Sequence, residues 1–169
     1  MTIHSEHPFL PPPQDRDPLR RLRSHLPAPV SVWTSSDGTR RDGWTISSML
    51  VADGDPGELV ALVNEDSDWW DLFRETGVAT VNVLAAHQGA VSEAFARLAP
   101  SPGGPFRTGT WTDAPAGPRL ENAFAWVTAV LSDPHPPHAG WGLLVRCTID
   151  SIDWGQADAP LGYRAGRYF

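Results

Sequence analysis

Residues 30–63 read VSVWTSSDGTRRDGWTISSMLVADGDPGELVALV. Residues 30–34 alternate apolar and polar side chains, and the Asp-Gly pair that follows is typical of a hairpin turn. Residues 44–51 predict a second strand, which is rich in hydroxyl groups. A turn with Gly and Pro then leads to residues 59–63, whose continuous apolar run predicts a strand covered on both faces. Strands joined by such short connections favour antiparallel pairing.

The rest of the chain adds strands and short helices. Ser67 is a candidate N-cap of a helix that Gly77 ends. A further helix has apolar residues at positions 91, 94, 95 and 98, the spacing of one helix face. The other predicted elements are strands at 78–84, 123–131 and 143–149, and a first helix that Asp17 caps, Pro18 begins and Pro27 stops. This order predicts a mainly β protein with short helices, an antiparallel barrel rather than a doubly wound parallel sheet.

One folded domain is predicted at residues 17–169, after a flexible Pro-rich arm at residues 1–16. The arm reads MTIHSEHPFLPPPQDR, and its run of prolines favours an extended polyproline II conformation. The chain has 169 residues, about the length of one domain, and no internal repeat is visible.

Composition excludes several classes of protein. The 20 acidic residues outnumber the 13 basic ones, which are all Arg, so a broad nucleic-acid surface is disfavoured and lysine chemistry is excluded. A single cysteine excludes a disulfide within the chain and fits a cytoplasmic protein. No apolar run approaches the roughly 18 residues of a membrane span, so we expect no membrane association.

The stretch Thr45-Ile46-Ser47-Ser48, shortly after Gly43, is the first candidate binding site. A turn that opens onto Thr and Ser presents N–H and O–H donors to a phosphate or a carbonyl-rich ring. The alternative is a half-exposed strand whose hydroxyl groups face water, because Thr is common in strands.

Three further polar residues are candidates. Asn64 and Ser67 stand where a strand ends and a helix begins, and a helix N-terminus favours anions; the alternative is a simple helix cap. Asn82 lies among Val and Leu residues, and a buried amide has to be hydrogen-bonded, either to a ligand or to neighbouring backbone.

Motifs for other chemistries are weak. Asp133, His135 and His138 lie in the stretch DPHPPH, whose prolines hold the backbone extended, so we expect no metal site. Cys147 falls on the apolar face of its strand, which predicts packing and not a nucleophile. No G-x-S-x-G occurs, and no G-x-G-x-x-G follows a strand, so a hydrolase triad and a Rossmann fold are disfavoured.

Four stretches of this chain, taken in order, resemble the flavin reductase-like family, the FMN-binding split barrels. They are APVSVWTSSDGTRRDGWTISSML, DPGELVALVNEDSDW, GVATVNVLAAHQGAVSEAFA and PLGYRAGRYF, and the resemblance extends over about residues 27–169. The resemblance implies a split β-barrel, usually a homodimer, that holds FMN or FAD near the subunit interface. It also implies hydride transfer from NAD(P)H to the flavin, with the reduced flavin serving a separate monooxygenase.

The resemblance also implies a set of flavin-binding residues. By motif, Thr45, Ile46, Ser47 and Ser48 correspond to positions at the flavin ring and ribityl chain. Asn64 and Ser67 correspond to the ribityl-phosphate end, and Ala86, His87 and Gln88 to the phosphate side, with Phe95 packing nearby. Arg97, Arg164 and Arg167 are the available cations, and we expect one of them to pair with phosphate, which Arg binds bidentately.

The chain departs from the family pattern at three places. Gly140-Trp141-Gly142 stands where the family often has G-D-H, whose His helps to hold the nicotinamide. Asp68 replaces a hydroxyl residue near the phosphate, and Trp44 precedes Thr45 in place of a smaller residue. These departures keep two alternatives open: a split-barrel flavin-binding or interaction protein without catalysis, and a relative that uses a deazaflavin.

The chain contains eight tryptophans, more than one modest core needs, which favours an aromatic interface between subunits. Helical spacing places only one of Trp69 and Trp70 inward, so we expect the other to be exposed in a monomer.

Overall fold

The computed structural model describes residues 17–169, and the predicted arm at residues 1–16 lies outside the described residues. The elements in chain order are α1 (Pro18–His25), β1 (Ala28–Pro29), β2 (Ser31–Ser36), β3 (Arg41–Ile46), β4 (Met49–Ala52), β5 (Glu58–Val63), α2 (Asp68–Thr76), β6 (Val78–Val83), α3 (Gly89–Phe95), a 3₁₀ helix (Pro105–Arg107), β7 (Trp111–Thr112), β8 (Arg119–Leu120), β9 (Ala125–Leu131), β10 (His138–Ala139), β11 (Gly142–Trp154), β12 (Gly162–Arg164) and β13 (Arg167–Tyr168). Within residues 17–169, no helix has the length and apolar character needed to cross a membrane.

One antiparallel sheet dominates the fold. Its strands follow the order β3-β2-β6-β9-β11-β5-β4, and β10 pairs with β11. The two outer strands, β3 and β4, are consecutive in the chain, which requires the sheet to curl into a half-barrel. In a smaller sheet, β12 pairs with both β1 and β13. The predicted mainly β antiparallel architecture with short helices is confirmed.

A bend at Ser47-Ser48 divides the strand predicted over residues 44–51. The carbonyl oxygen of Ser48 accepts a hydrogen bond from Leu62 N at 3.1 Å, and its hydroxyl donates to the Leu62 carbonyl oxygen at 2.7 Å. The residues before the bend therefore form β3, which pairs with β2, and the residues after it form β4, which pairs with β5. The prediction of one continuous strand was wrong, because a distant partner strand redirects the backbone.

The prediction that β5 is covered on both faces was also wrong. Leu59, Ala61 and Val63 are buried, whereas Leu62 is 43% exposed. The strand is flanked by β4 and β11 within the sheet, and only its inner face lies in the core.

Helix α2 begins and ends where the sequence predicts, at the cap Ser67 and at Gly77, which has a left-handed backbone with φ of 71°. Both of its adjacent tryptophans are buried, so the expectation that one is exposed was wrong. Trp69 stacks on Phe73 with ring centroids 5.0 Å apart, and Trp70 meets the same ring edge-on at 5.9 Å. The core therefore surrounds enough of α2 to bury two residues that are adjacent in sequence.

Helix α3 is shorter than its apolar spacing predicts. Val91, Ala94 and Phe95 are buried, but Leu98 is 77% exposed. The helix ends at Phe95, and Arg97 then takes a left-handed conformation with φ of 58°. That residue turns the chain away before Leu98 could reach the core.

Phe95 belongs to a second core cluster on the other side of the sheet. Its ring packs against Phe106 and Trp111, with centroids 4.9 and 5.1 Å away. Gly43 allows α3 to approach β3, since a Cβ at that position would lie 2.9 Å from the Phe95 ring. Lack of a side chain at one glycine thus sets the distance between helix and sheet.

Asn82 is buried and serves the fold. Its side-chain amide nitrogen donates to the Val32 carbonyl oxygen at 3.0 Å, and its side-chain oxygen accepts from Leu120 N at 2.7 Å. Of the two sequence hypotheses for this residue, the structure supports hydrogen bonding to neighbouring backbone.

Replacing Asn82 with alanine should destabilise the protein by about 1–3 kcal/mol, because a buried backbone N–H loses its acceptor. Urea denaturation of the variant measures the change in the free energy of unfolding. Thr128→Val is the matched control, because the half-buried Thr128 on β9 makes no side-chain hydrogen bond within residues 17–169. Equal stability of N82A and T128V would contradict this role for the amide.

Candidate functional site

Three chain segments predicted to bind a ligand meet at one side of the half-barrel. Ile46 at the end of β3 pairs with Ser31, which pairs in turn with Val83 at the end of β6. The next two residues form the bend, where Ser48 bonds to Leu62 near the end of β5. The bend at residues 47–48 therefore lies between the ends of β5 and β6. Strand pairing alone brings together three stretches that are far apart in sequence.

The hydroxyl groups of this stretch differ in what they bind. Thr45 donates to the Ser92 carbonyl oxygen at 2.7 Å, and Ser48 is bonded to β5. Ile46 is buried in the core. Ser47 is exposed, and its hydroxyl makes no hydrogen bond within residues 17–169. Among these four residues, Ser47 is the one whose side chain is open to a ligand.

Asn64 and Ser67 shape the loop before α2. Ser67 is buried, donates to the Asn64 carbonyl oxygen at 2.8 Å and accepts from Trp70 N at 3.3 Å, which is the hydrogen bonding of a helix cap. The Asn64 side-chain oxygen accepts from Asp66 N at 3.0 Å. The residue is exposed, and its amide nitrogen makes no hydrogen bond within residues 17–169. Asp68 is exposed at the start of α2.

The segment after β6 is held by a buried glutamine. The side chain of Gln88 accepts from Ala85 N and donates to the Glu121 carbonyl oxygen, both at 2.9 Å. Ala86 and His87 are exposed beside it. Gln88 therefore fixes the conformation of the segment, while its two neighbours face solvent.

The three predicted cations have different surroundings. Arg97 forms an ion pair with Asp42 at 3.0 Å, and its guanidinium lies 5.6 Å from the Trp44 ring centroid. Arg164 lies 5.7 Å from the ring centroid of Phe169, and Arg167 is exposed on β13. Neither Arg164 nor Arg167 pairs with a carboxylate within residues 17–169, so these two keep their charge available for an anion.

Sequence reasoning missed the contact that attaches the C-terminal hairpin to α3. The Tyr168 hydroxyl lies 3.1 Å from the Ser92 hydroxyl, and a Cβ at Gly89 would lie 3.2 Å from the Tyr168 ring. Burial raises the pKa of Tyr168. The contact brings the strand that carries Arg167 next to the start of α3. The closing motif PLGYRAGRYF, with its two tyrosines, was the available signal.

A cavity of about 890 Å³ lies elsewhere, at the hairpin between β2 and β3 and the loop of residues 113–118. Its charges are already paired: Arg40 lies 2.8 Å from Asp37 and 2.6 Å from Glu75. Hydrogen bonds from the backbone N–H of Arg40 and from Thr39 hold the pKa of Asp37 well below its usual range. This cavity contains none of the predicted binding residues.

The remaining sequence candidates show no sign of a catalytic or metal site within residues 17–169. Cys147 is buried in the core, as predicted, and burial raises the pKa of its thiol to about 12. Nε2 of His138 lies 3.1 Å from Oε2 of Glu65. Within the part of the chain that the structure describes, no three His, Cys, Asp or Glu side chains are grouped as metal ligands.

A comparison with known protein families identifies the family of this chain. The profile described as "Flavin reductase like domain" matches residues 22–169, nearly all of the described residues. The chain belongs to this family. The resemblance found in the four motifs is thereby confirmed.

Flavin reductases are among the proteins that are similar to it in sequence. An NADPH-flavin oxidoreductase of Streptomyces viridifaciens is 35% identical over 152 residues, 88% of this chain and 77% of that protein. The FMN reductase (NADH) RutF of Agrobacterium fabrum is 25% identical over 150 residues, 88% of this chain and 84% of the relative.

A solved structure shows the same fold. The NADH:FAD oxidoreductase SgcE6 of Streptomyces globisporus C-1027, in complex with NAD and FAD fragments, superposes with a TM-score of 0.80 at 22% identity. The match covers 95% of this chain and 94% of that one. The predicted split-barrel fold is confirmed.

Proposed function

We propose that this member of the flavin reductase-like family binds FMN or FAD at the bend between β3 and β4 and transfers hydride to it from NAD(P)H. The family match over residues 22–169 carries the proposal. The open donors beside the bend support it, because an isoalloxazine ring and its ribityl chain are rich in hydrogen-bond acceptors. We propose residues 17–169 as one split-barrel domain.

The chemistry of the available groups fits a flavin. Ser47 and the Asn64 amide offer uncharged donors to the ring and the ribityl chain of a flavin, and such donors suit a ring that gains negative charge on reduction. Arg164 and Arg167 offer two unpaired cations for phosphate. When bound, the flavin supplies the acceptor for hydride and delivers electrons onward.

The fold restricts what the other predicted residues do. Thr45, Ser48, Ser67 and Gln88 already donate to carbonyl oxygens, and in the proposed site they hold the three segments in position. Arg97 is paired with Asp42, so we assign phosphate binding to the C-terminal arginines. Rigid support of this kind keeps the open donors oriented before the cofactor arrives.

The family resemblance supports two partners. The first is a monooxygenase that uses the reduced flavin. The second is another copy of this chain, and the exposed apolar side chains of Leu50, Val51 and Leu62 support a subunit contact near the bend.

Sedimentation of a homodimer should give twice the chain mass of 18.4 kDa, whereas a species of 18.4 kDa at micromolar concentration would argue against it.

Reduction of bound flavin tests the proposed reaction. The purified protein with FMN or FAD, kept under argon, should lose the visible absorbance of oxidised flavin when NADH or NADPH is added. The relatives differ in nicotinamide and flavin, so all four combinations are measured. If the protein binds flavin but no combination bleaches it, the result would favour a split-barrel protein without catalysis. The Gly140-Trp141-Gly142 stretch, which lacks the family's His, supports that alternative.

The open hydroxyl of Ser47 gives a second test. Ser47→Ala should weaken flavin binding about two- to tenfold, the equivalent of one hydrogen bond, and leave unfolding unchanged. Ser151→Ala is the control, because Ser151 is exposed near the far end of β11. Equal flavin dissociation constants for both variants would remove Ser47 from the site.

A further inference from the structure

Trp141 is the most exposed tryptophan among the described residues. Its side chain is 90% exposed, on the two-residue turn Gly140-Trp141 that joins β10 to β11. Within residues 17–169, its ring makes no aromatic or cation–π pair. A large planar apolar group is thus exposed to solvent, without an aromatic or cationic partner among residues 17–169.

The register of β11 places this turn at the candidate site. Leu143 pairs with Val63, the last residue of β5. A Cβ at Gly142 would lie 3.3 Å from the Val63 carbonyl oxygen, so the two backbones are in contact. Asn64, an exposed residue, follows directly. Trp141 therefore lies next to the loop that supplies one of the open donors.

The turn is held in this position from both ends. Ala139 pairs with Gly142, and Leu144 N donates to the Pro137 carbonyl oxygen at 2.8 Å. The His138 ring lies 3.1 Å from the Glu65 carboxylate, which ties the hairpin to the loop after β5. A tryptophan on such a support can contact a ligand at a small cost in conformational entropy.

We propose that Trp141 stacks on the ring system of the bound flavin and strengthens its binding. The inference rests on the proposed function, since it needs a flavin beside Asn64. An indole is electron-rich, an oxidised isoalloxazine is electron-poor, and both are flat, so an offset stack suits the pair. Trp141 thereby determines how long the flavin stays on the protein.

The test compares two exposed tryptophans at opposite ends of one strand. Trp141→Ala should raise the dissociation constants of FMN and FAD about three- to tenfold, as expected for the loss of one aromatic stack. Trp141→Phe, which keeps a ring, should restore most of the affinity. The control is Trp154→Ala, because Trp154 is 71% exposed at the end of β11 and should leave binding unchanged.

A second measurement reports contact between the rings. Emission of bound flavin should be longer-lived in W141A than in the wild type, because an indole in van der Waals contact quenches it, and W154A should match the wild type. Sedimentation of W141A should match the wild-type mass.

Each contrary result has a distinct meaning. Unchanged flavin binding by W141A overturns the stack, and if only KM for the nicotinamide rises, the indole acts on the co-substrate instead. A change in sedimentation assigns Trp141 to a subunit contact and also overturns the stack. A wild-type protein that binds neither FMN nor FAD overturns the proposed function itself.

Discussion

Two hydrogen bonds between Ser48 and Leu62 hold the chain where it passes from β3, at one edge of the sheet, to β4, at the other edge. They turn what could have been one strand into β3 and β4, and so bring the end of β5 beside the end of β3. A sheet whose edge strands are consecutive in the chain has to curl. The contact that closes the half-barrel is therefore the one that assembles the candidate site.

The polar side chains near this contact divide into two groups. Thr45, Ser67 and Gln88 are tied to backbone groups, because buried polar groups need partners inside the protein. Ser47 and Asn64 are exposed, and within residues 17–169 neither the Ser47 hydroxyl nor the Asn64 amide nitrogen makes a hydrogen bond. Residues bonded within the fold and residues open to solvent alternate along the same segments, so a family motif contains both kinds side by side.

Local signals predicted most of the elements. The caps at Ser67 and Gly77 marked the limits of α2, and alternating residues marked the inner face of β11. The errors had a common cause. Leu98 fits the helical spacing of α3, but the chain turns at Arg97, and Trp70 is buried by a core that the helix pattern does not describe.

By itself the sequence determined the order of the strands and helices, the antiparallel class and the family. These follow from periodicity, caps, turns and motifs, which are properties of neighbouring residues. Only the tertiary structure decided that Ser47 stays open while Ser48 is bonded, and that Trp141 lies beside Asn64. The reason is physical: the partner of a polar group, or the neighbour of an exposed ring, comes from a strand distant in sequence, and its register is set by the closure of the barrel.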